Sequence, residues 1–157
     1  MRTPLLAGNW KMYKDAQQTQ SFFDAFLPAV AAASGREIVI CPPFLSIPGA
    51  VRAAQETNVA IGAQNLHHEK EGAFTGEISA PMIAASGARW VIIGHSERRQ
   101  FFGETDASVL KKTVAALNAG LKPIVCVGEM LDERESGKTD EVLQRQFSGG
   151  IAGLTPE

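Results

Sequence analysis

Short apolar runs recur along this chain, each followed by a stretch with helical spacing. The runs are Leu5–Asn9, Ile38–Cys41, Val59–Ala63, Arg89–Gly94 and Leu121–Val127. Helical patterns fall at Ala16–Ala33, Ser46 to Gln55, Pro81–Ala85, Ala107–Ala119 and Thr139–Phe147. Strands that alternate with helices need crossover connections, so this order predicts one parallel sheet with helices packed on it. Local chemistry marks the boundaries. Phe22, Phe23, Phe26 and Leu27 form the apolar stripe of the first helix, with Gly35 as its stop. Pro42-Pro43 ends the second strand, Ser46 reads as an N-cap with Pro48 behind it, and Ser79 caps the short third helix before Gly87. Thr105 or Asp106 caps the next helix and Gly120 ends it. No linker or low-complexity tract divides the units, so residues 1–157 read as one domain.

Five units are an awkward number. A closed (β/α)8 barrel takes eight strands and typically about 250 residues. Stopping at five leaves the first and fifth strands as open apolar edges, which invite pairing with another chain. An open doubly wound sheet is the alternative. Its first turn would here be Gly8-Asn9-Trp10-Lys11-Met12-Tyr13, which has no glycine-rich phosphate fingerprint. The expected fold is therefore α/β, the first five βα units of a (β/α)8 barrel. With 157 residues and 45% hydrophobic content, the chain can bury a real core. A net charge of −2, well mixed, argues against a nucleic-acid or membrane partner. No apolar run approaches the roughly 18 residues of a membrane span, and no secretory signal pattern opens the chain. Cys41 and Cys126 have no metal-ligand spacing and read as reduced thiols of a cytoplasmic protein.

The chemistry concentrates in Val91-Ile92-Ile93-Gly94-His95-Ser96-Glu97-Arg98-Arg99. A β-branched run ends at a glycine, and an imidazole follows at the strand end, facing a helical turn opened by Ser96. Alpha/beta proteins place catalytic groups at such strand ends. Position alone leaves a catalytic group and a satisfied polar histidine equally open. Lys11 lies just beyond the first strand, where a compact ammonium can reach the same mouth; the bland alternative is a solvated lysine beside a turn asparagine, Asn9. His67-His68 with Glu69 and Glu71 has the composition of a metal cluster, but adjacent side chains rarely face one ion, so no metal is expected. Met12, Met82 and Met130 read as core and interface filler, Trp10 as a packing residue, and Arg98-Arg99 as partners for carboxylates.

Gly94-His95-Ser96-Glu97-Arg98-Arg99, with Ala7-Gly8-Asn9-Trp10-Lys11-Met12 near the start, resembles the triosephosphate isomerase family. The resemblance runs from about residue 5 to the last residue. It implies a TIM barrel, and interconversion of dihydroxyacetone phosphate and glyceraldehyde 3-phosphate through an enediolate, a step of glycolysis and gluconeogenesis, without cofactor or metal. His95 would be the electrophile that donates a hydrogen bond to the substrate carbonyl; the family is itself the type example of an imidazole kept neutral for that task. Lys11 would balance developing negative charge, Asn9 and Ser96 would contact substrate, Ser96 would also cap its helix, and Glu97 would orient Lys11. Glu129 belongs to loop structure in this reading. The long loop Gln64–Ile78 matches the family's projecting loop, with Phe74, Thr75, Gly76 and Glu77 at a tip that enters the neighbouring subunit of a homodimer. An ordinary exposed loop is the alternative.

One departure is sharp. The family's abstracting glutamate lies in a Tyr-Glu-Pro-Val-Trp segment at the end of a sixth strand. Here the only tyrosine is Tyr13 and the only tryptophans are Trp10 and Trp90. Gly149-Gly150 is no substitute for the phosphate loops, because it interrupts a helical pattern and follows no strand. Without a base, proton abstraction has no partner for His95, and these residues alone are expected to be inactive. Three readings follow: part of a complete enzyme, a half that needs a complementary C-terminal segment, or a non-catalytic half-barrel assembly module. The His95–Lys11 pair favours the first two. Leu154-Thr155-Pro156-Glu157 falls in an expected helix-to-strand connection.

Overall fold

The computed structural model describes residues 2–151, 153 and 154; Thr155-Pro156-Glu157 of the expected final connection lies outside them. Five parallel strands, β1 (Leu5–Asn9), β2 (Glu37–Cys41), β3 (Val59–Ala63), β4 (Trp90–Ile93) and β5 (Lys122–Val125), pair in strictly sequential order. The register runs through Asn9↔Cys41, Ile40↔Ile61, Ala63↔Val91 and Ile93↔Val125. Seven helices accompany them among the described residues: α1 (Ala16–Val30), α2 (Ile47–Ala53), α3 (Ala80–Ala85), α4 (Ser96–Phe102), α5 (Asp106–Asn118), α6 (Leu131–Glu135) and α7 (Thr139–Gly150). This is the expected half-barrel.

Both sheet faces are apolar, but unequally covered. Ile38, Ile40, Ile61, Val91 and Ile93 pack with Phe23 of α1, Ile83 of α3 and Val109 of α5 in the main core. Alternate residues of the same strands, Val39, Cys41 and Ile92, gather Ala60, Trp90, Ile124 and Cys126 on the face without helices. The two-residue side-chain period of a strand produces that division. Burial raises both thiols, Cys41 to about 12. Of the two edges, β1 leaves Leu5 and Leu6 exposed. β5 opens with Lys122 and Pro123, a charge and a residue without an N–H, both suited to an edge.

Several boundaries differ from the sequence reading for visible reasons. α1 stops at Val30, not Ala33, because the Asn58 side-chain amide donates to the Val30 and Ala33 carbonyls at 2.8 and 3.1 Å. That partner lies 28 residues away, invisible to local pattern. Ser46 precedes α2 but does not cap it; its hydroxyl meets that of Thr19 at 3.0 Å in the core. Ser79 stands at the N-cap of α3 without a side-chain bond. Thr105, not Asp106, caps α5, through a reciprocal pair with Ser108. α7 continues through Gly149-Gly150 because α5 approaches closely there: a Cβ on Gly149 would lie 2.7 Å from Asp106 Cβ. The glycines are contact residues, not a break. Met12, Met82 and Met130 are exposed, so none of them fills the core of this chain. No described helix is long and apolar enough to cross a membrane.

Candidate active site

The C-terminal ends of β1 and β4 bring Lys11 and His95 to one side of the sheet. The segment after β1 is built around a strained residue. Lys11 has φ +53°, a left-handed backbone conformation that costs a side-chain-bearing residue roughly 1–2 kcal/mol. Asn9 Oδ1 accepts from the Lys11 N–H at 2.9 Å. Gln64, first residue after β3, donates through Nε2 to the Lys11 carbonyl at 2.9 Å and to the Cys41 carbonyl at 2.8 Å. The Trp10 N–H also donates to Cys41 O, at 3.1 Å. Trp10 anchors the turn from its other side, with its ring edge-on to Phe22 at 4.8 Å and the Lys14 ammonium 5.4 Å from its centre.

The Lys11 ammonium lies 2.6 Å from Glu97 Oε1, across 86 positions of sequence. The hydrogen bond raises the Lys11 pKa and lowers that of Glu97, with their mutual attraction adding in the same direction. Both groups are therefore ionised around neutral pH. Each is nearly half exposed, so the pair matters for position more than for stability.

His95 is the N-cap of α4, a place the sequence reading gave to Ser96. An imidazole nitrogen can accept from the turn that a serine oxygen ordinarily serves, and Ser96 is instead the exposed first residue of the helix. The Glu97 N–H lies 3.3 Å from His95 Nδ1. A backbone N–H can only donate, so Nδ1 must present its lone pair and the ring proton sits on Nε2. The 3.5 Å approach of Glu97 Oε2 to the same Nδ1 is then no ion pair. Gly94, at φ +72°, makes the turn into His95; a Cβ there would meet Val109 Cγ2 at 2.9 Å. Arg99 fastens the strand end, donating from Nε to Gly94 O at 3.0 Å and from Nη1 to Asp106 Oδ1 at 2.6 Å.

Beneath these groups, Glu104 accepts from Arg98 at 2.6 Å and from Lys112, which also reaches Asn65 Oδ1 at 2.8 Å. Arg98 and Arg99 thus pair with carboxylates, as expected. Burial pushes the Glu104 carboxyl upward, but hydrogen bonds from Lys112 and Arg98 outweigh it and hold the group below the usual range. Glu129, in the loop after β5, accepts from Arg134 of α6 and Thr139 of α7.

The loop after β3 closes at its neck, where the His67 N–H donates to Ile78 O at 2.8 Å. Its tip, Phe74, Thr75, Gly76 and Glu77, is exposed, with the Phe74 ring 4.3 Å from that of His67. No hydrogen bond among the described residues joins the tip to Lys11 or His95. The His67 and His68 rings stack on each other at 4.6 Å. A concavity of about 660 Å³ between α5 and the loop near His68 contains neither Lys11 nor His95. The polar cluster sits at open strand ends instead. Gln64 is the site-side residue that sequence reasoning missed. Its one available signal was a double-donor amide placed directly after a strand.

The sequence model of the triosephosphate isomerase family matches residues 4–157. A triosephosphate isomerase from Solibacter usitatus is 59% identical across the whole chain, which covers 63% of that relative; one from Symbiobacterium thermophilum is 50% identical, 61% covered. The crystal structure of triosephosphate isomerase from Bartonella henselae superposes with a TM-score of 0.92 at 40% identity, over 98% of this chain and 64% of the other. The chain thus spans a little over three-fifths of these relatives' length, and it belongs to the triosephosphate isomerase family.

Proposed function

We propose that these residues form the electrophile-and-cation part of an aldose–ketose isomerase site for a phosphorylated triose. The observation that carries this reading is the convergence of an Nε2–H imidazole, His95, and an ionised Lys11–Glu97 pair from the C-terminal ends of β1 and β4. In the reaction, His95 Nε2–H donates to the carbonyl oxygen of dihydroxyacetone phosphate while a carboxylate removes a proton from the adjacent carbon. Negative charge develops on the oxygen as the enediolate forms, and the Lys11 ammonium offsets it. Asn9 and Ser96 line the same mouth, and Glu97 holds the Lys11 side chain. No described carboxylate other than Glu97 bonds to this group, and Glu97 is committed to Lys11. The relatives' names support the reaction class. The base is assigned to chain beyond these 157 residues, which contain no Tyr-Glu-Pro-Val-Trp segment.

Phe74, Thr75, Gly76 and Glu77 are assigned to contact with a second copy in a homodimer. An exposed aromatic on a loop closed at its neck supports that role. Two unbridged thiols support a reducing, cytoplasmic setting.

The test is isomerase turnover of this chain supplied with the family's remaining three βα units, covalently or as a second polypeptide. Turnover should appear, and His95→Gln or Lys11→Met should each lower kcat/KM by about 100-fold or more. Turnover indifferent to both substitutions would remove the site. A correctly assembled complex with no turnover would favour the non-catalytic assembly module.

A further inference from the structure

α5 is apolar on more than its core face. Val109 and Ala116 are buried against the sheet, as a surface helix requires. Leu110, Val114 and Leu117 form a second stripe at helical spacing, turned outward, with Val114 39% and Leu117 46% exposed. Beside that stripe lies the concavity of about 660 Å³ between α5 and the loop near His68. Small residues leave the gap between neighbouring helices: Ala115 and Ala119 on the α5 side, and Ala80 at the start of α3. Leu110, Val114 and Pro81 complete its apolar wall. A cavity of this size falls within the range of small-molecule sites.

The rim is polar, with positive charge in excess. Lys70 and Lys111 both line it, and neither ammonium has a hydrogen-bond or ion-pair partner among the described residues. The rim carboxylate, Glu69, lies 3.6 Å from His68 Nε2. The groove runs between the third and fourth βα units, away from β1 and β5, the edges at which further strands would pair. It uses the neck of the loop after β3 and no residue of the Phe74–Glu77 tip. We infer that this groove binds a small amphiphilic anion, a single alkyl chain ending in a carboxylate. The chain lies along Leu110, Val114 and Ala115, and the head meets Lys70 and Lys111. A neutral hydrocarbon leaves two ammoniums unserved, and a compact inorganic anion leaves the apolar wall wet. No Phe, Tyr or Trp lines the groove, so a ring finds no stacking partner and a flexible chain fits the aliphatic wall better. The groove contains neither Lys11 nor His95, so the inference stands apart from the isomerase reading.

The test is titration of the isotope-labelled chain with octanoate, and with octanol as the uncharged probe of equal length, followed by amide and methyl chemical shifts. Octanoate should move the signals of Leu110, Val114 and Ala115 in a saturable way, and added salt should weaken it. Lys70→Gln combined with Lys111→Gln should raise the octanoate Kd by about fivefold or more and leave that of octanol unchanged. Both lysines are exposed, so this variant keeps its fold. Val114→Glu puts a carboxylate into the wall and should abolish binding of both probes, with the Phe23 and Ile83 signals in place. Octanoate shifts confined to Val39 and Ile92, on the helix-free sheet face, would overturn the site. Equal loss of octanoate and octanol in the lysine variant would overturn the role of charge, and with it the ligand class. Broadening of the groove signals by anionic phospholipid vesicles, with no response to octanoate, would make this face a membrane contact and overturn the small-ligand assignment.

Discussion

Replacing Glu104 with alanine should be among the most destabilising single changes outside the apolar core. Glu104 is 9% exposed, and Lys112, which it pairs with, is 7% exposed. The carboxylate also accepts from Arg98 at 2.6 Å, and Lys112 donates to Asn65 at 2.8 Å. The network thus joins α4, α5 and the start of the loop after β3, the three segments around His95. Removing the carboxylate strands the Lys112 ammonium with one neutral partner, and breaking a buried pair in this way costs about 3–5 kcal/mol. Arg98, about a quarter exposed, regains water and adds little. In a chain of this size, that loss lowers Tm by roughly 6–20 °C. Urea unfolding at pH 7, followed by Trp10 and Trp90 fluorescence, measures it, with an unchanged m-value as the check on two-state behaviour.

The sign of the pH dependence follows from the depressed Glu104 pKa. Stability from this group is fully present above the ordinary carboxylate value of about 4.3 and is lost as pH falls through the lower folded-state value. The gap between wild type and Glu104→Ala should therefore narrow only in acid below about pH 4. Glu104→Leu combined with Lys112→Met removes both charges and should recover to within about 1 kcal/mol of wild type. A single-variant cost below about 1 kcal/mol, or strict additivity in the double variant, would refute the argument that Lys112 is held by this carboxylate.

Gly149→Ala should destabilise by about 1–2 kcal/mol, because the 2.7 Å approach to Asp106 Cβ forces a shift that outweighs the gain of roughly 1 kcal/mol in helix propensity; urea melts decide it, and stabilisation would show that α7 and α5 separate freely. Cys41, fully buried with its thiol pushed up to about 12, should resist iodoacetamide at pH 8 until urea is added. Labelling of native Cys41 within minutes would mean that the end of β2 opens.

The sheet was legible because five short apolar runs separated by helical patterns admit few arrangements. Leu5–Asn9 and Val59–Ala63 needed no revision. Misreadings occurred where a distant residue completes a local structure. Asn58 ends α1 from 28 positions away, and Asp106 explains glycines in α7. His95 and Lys11 stood out through their motif, but the parts that hold them did not. Nothing local says that Lys11 has a positive φ or that Gln64 grips its carbonyl. Those are consequences of parallel register, which sets the ends of β1, β2, β3 and β4 side by side.

The measurement that bears most directly on the site is the tautomer of His95, read from ¹⁵N chemical shifts and one-bond couplings of the imidazole in this chain near neutral pH. The geometry predicts an unprotonated Nδ1, accepting from the Glu97 N–H, with the proton on Nε2 where it can be donated to a carbonyl. A proton found on Nδ1, shared with the Glu97 carboxylate, would contradict the account: His95 would then be an ion-pair partner with no electrophile to offer.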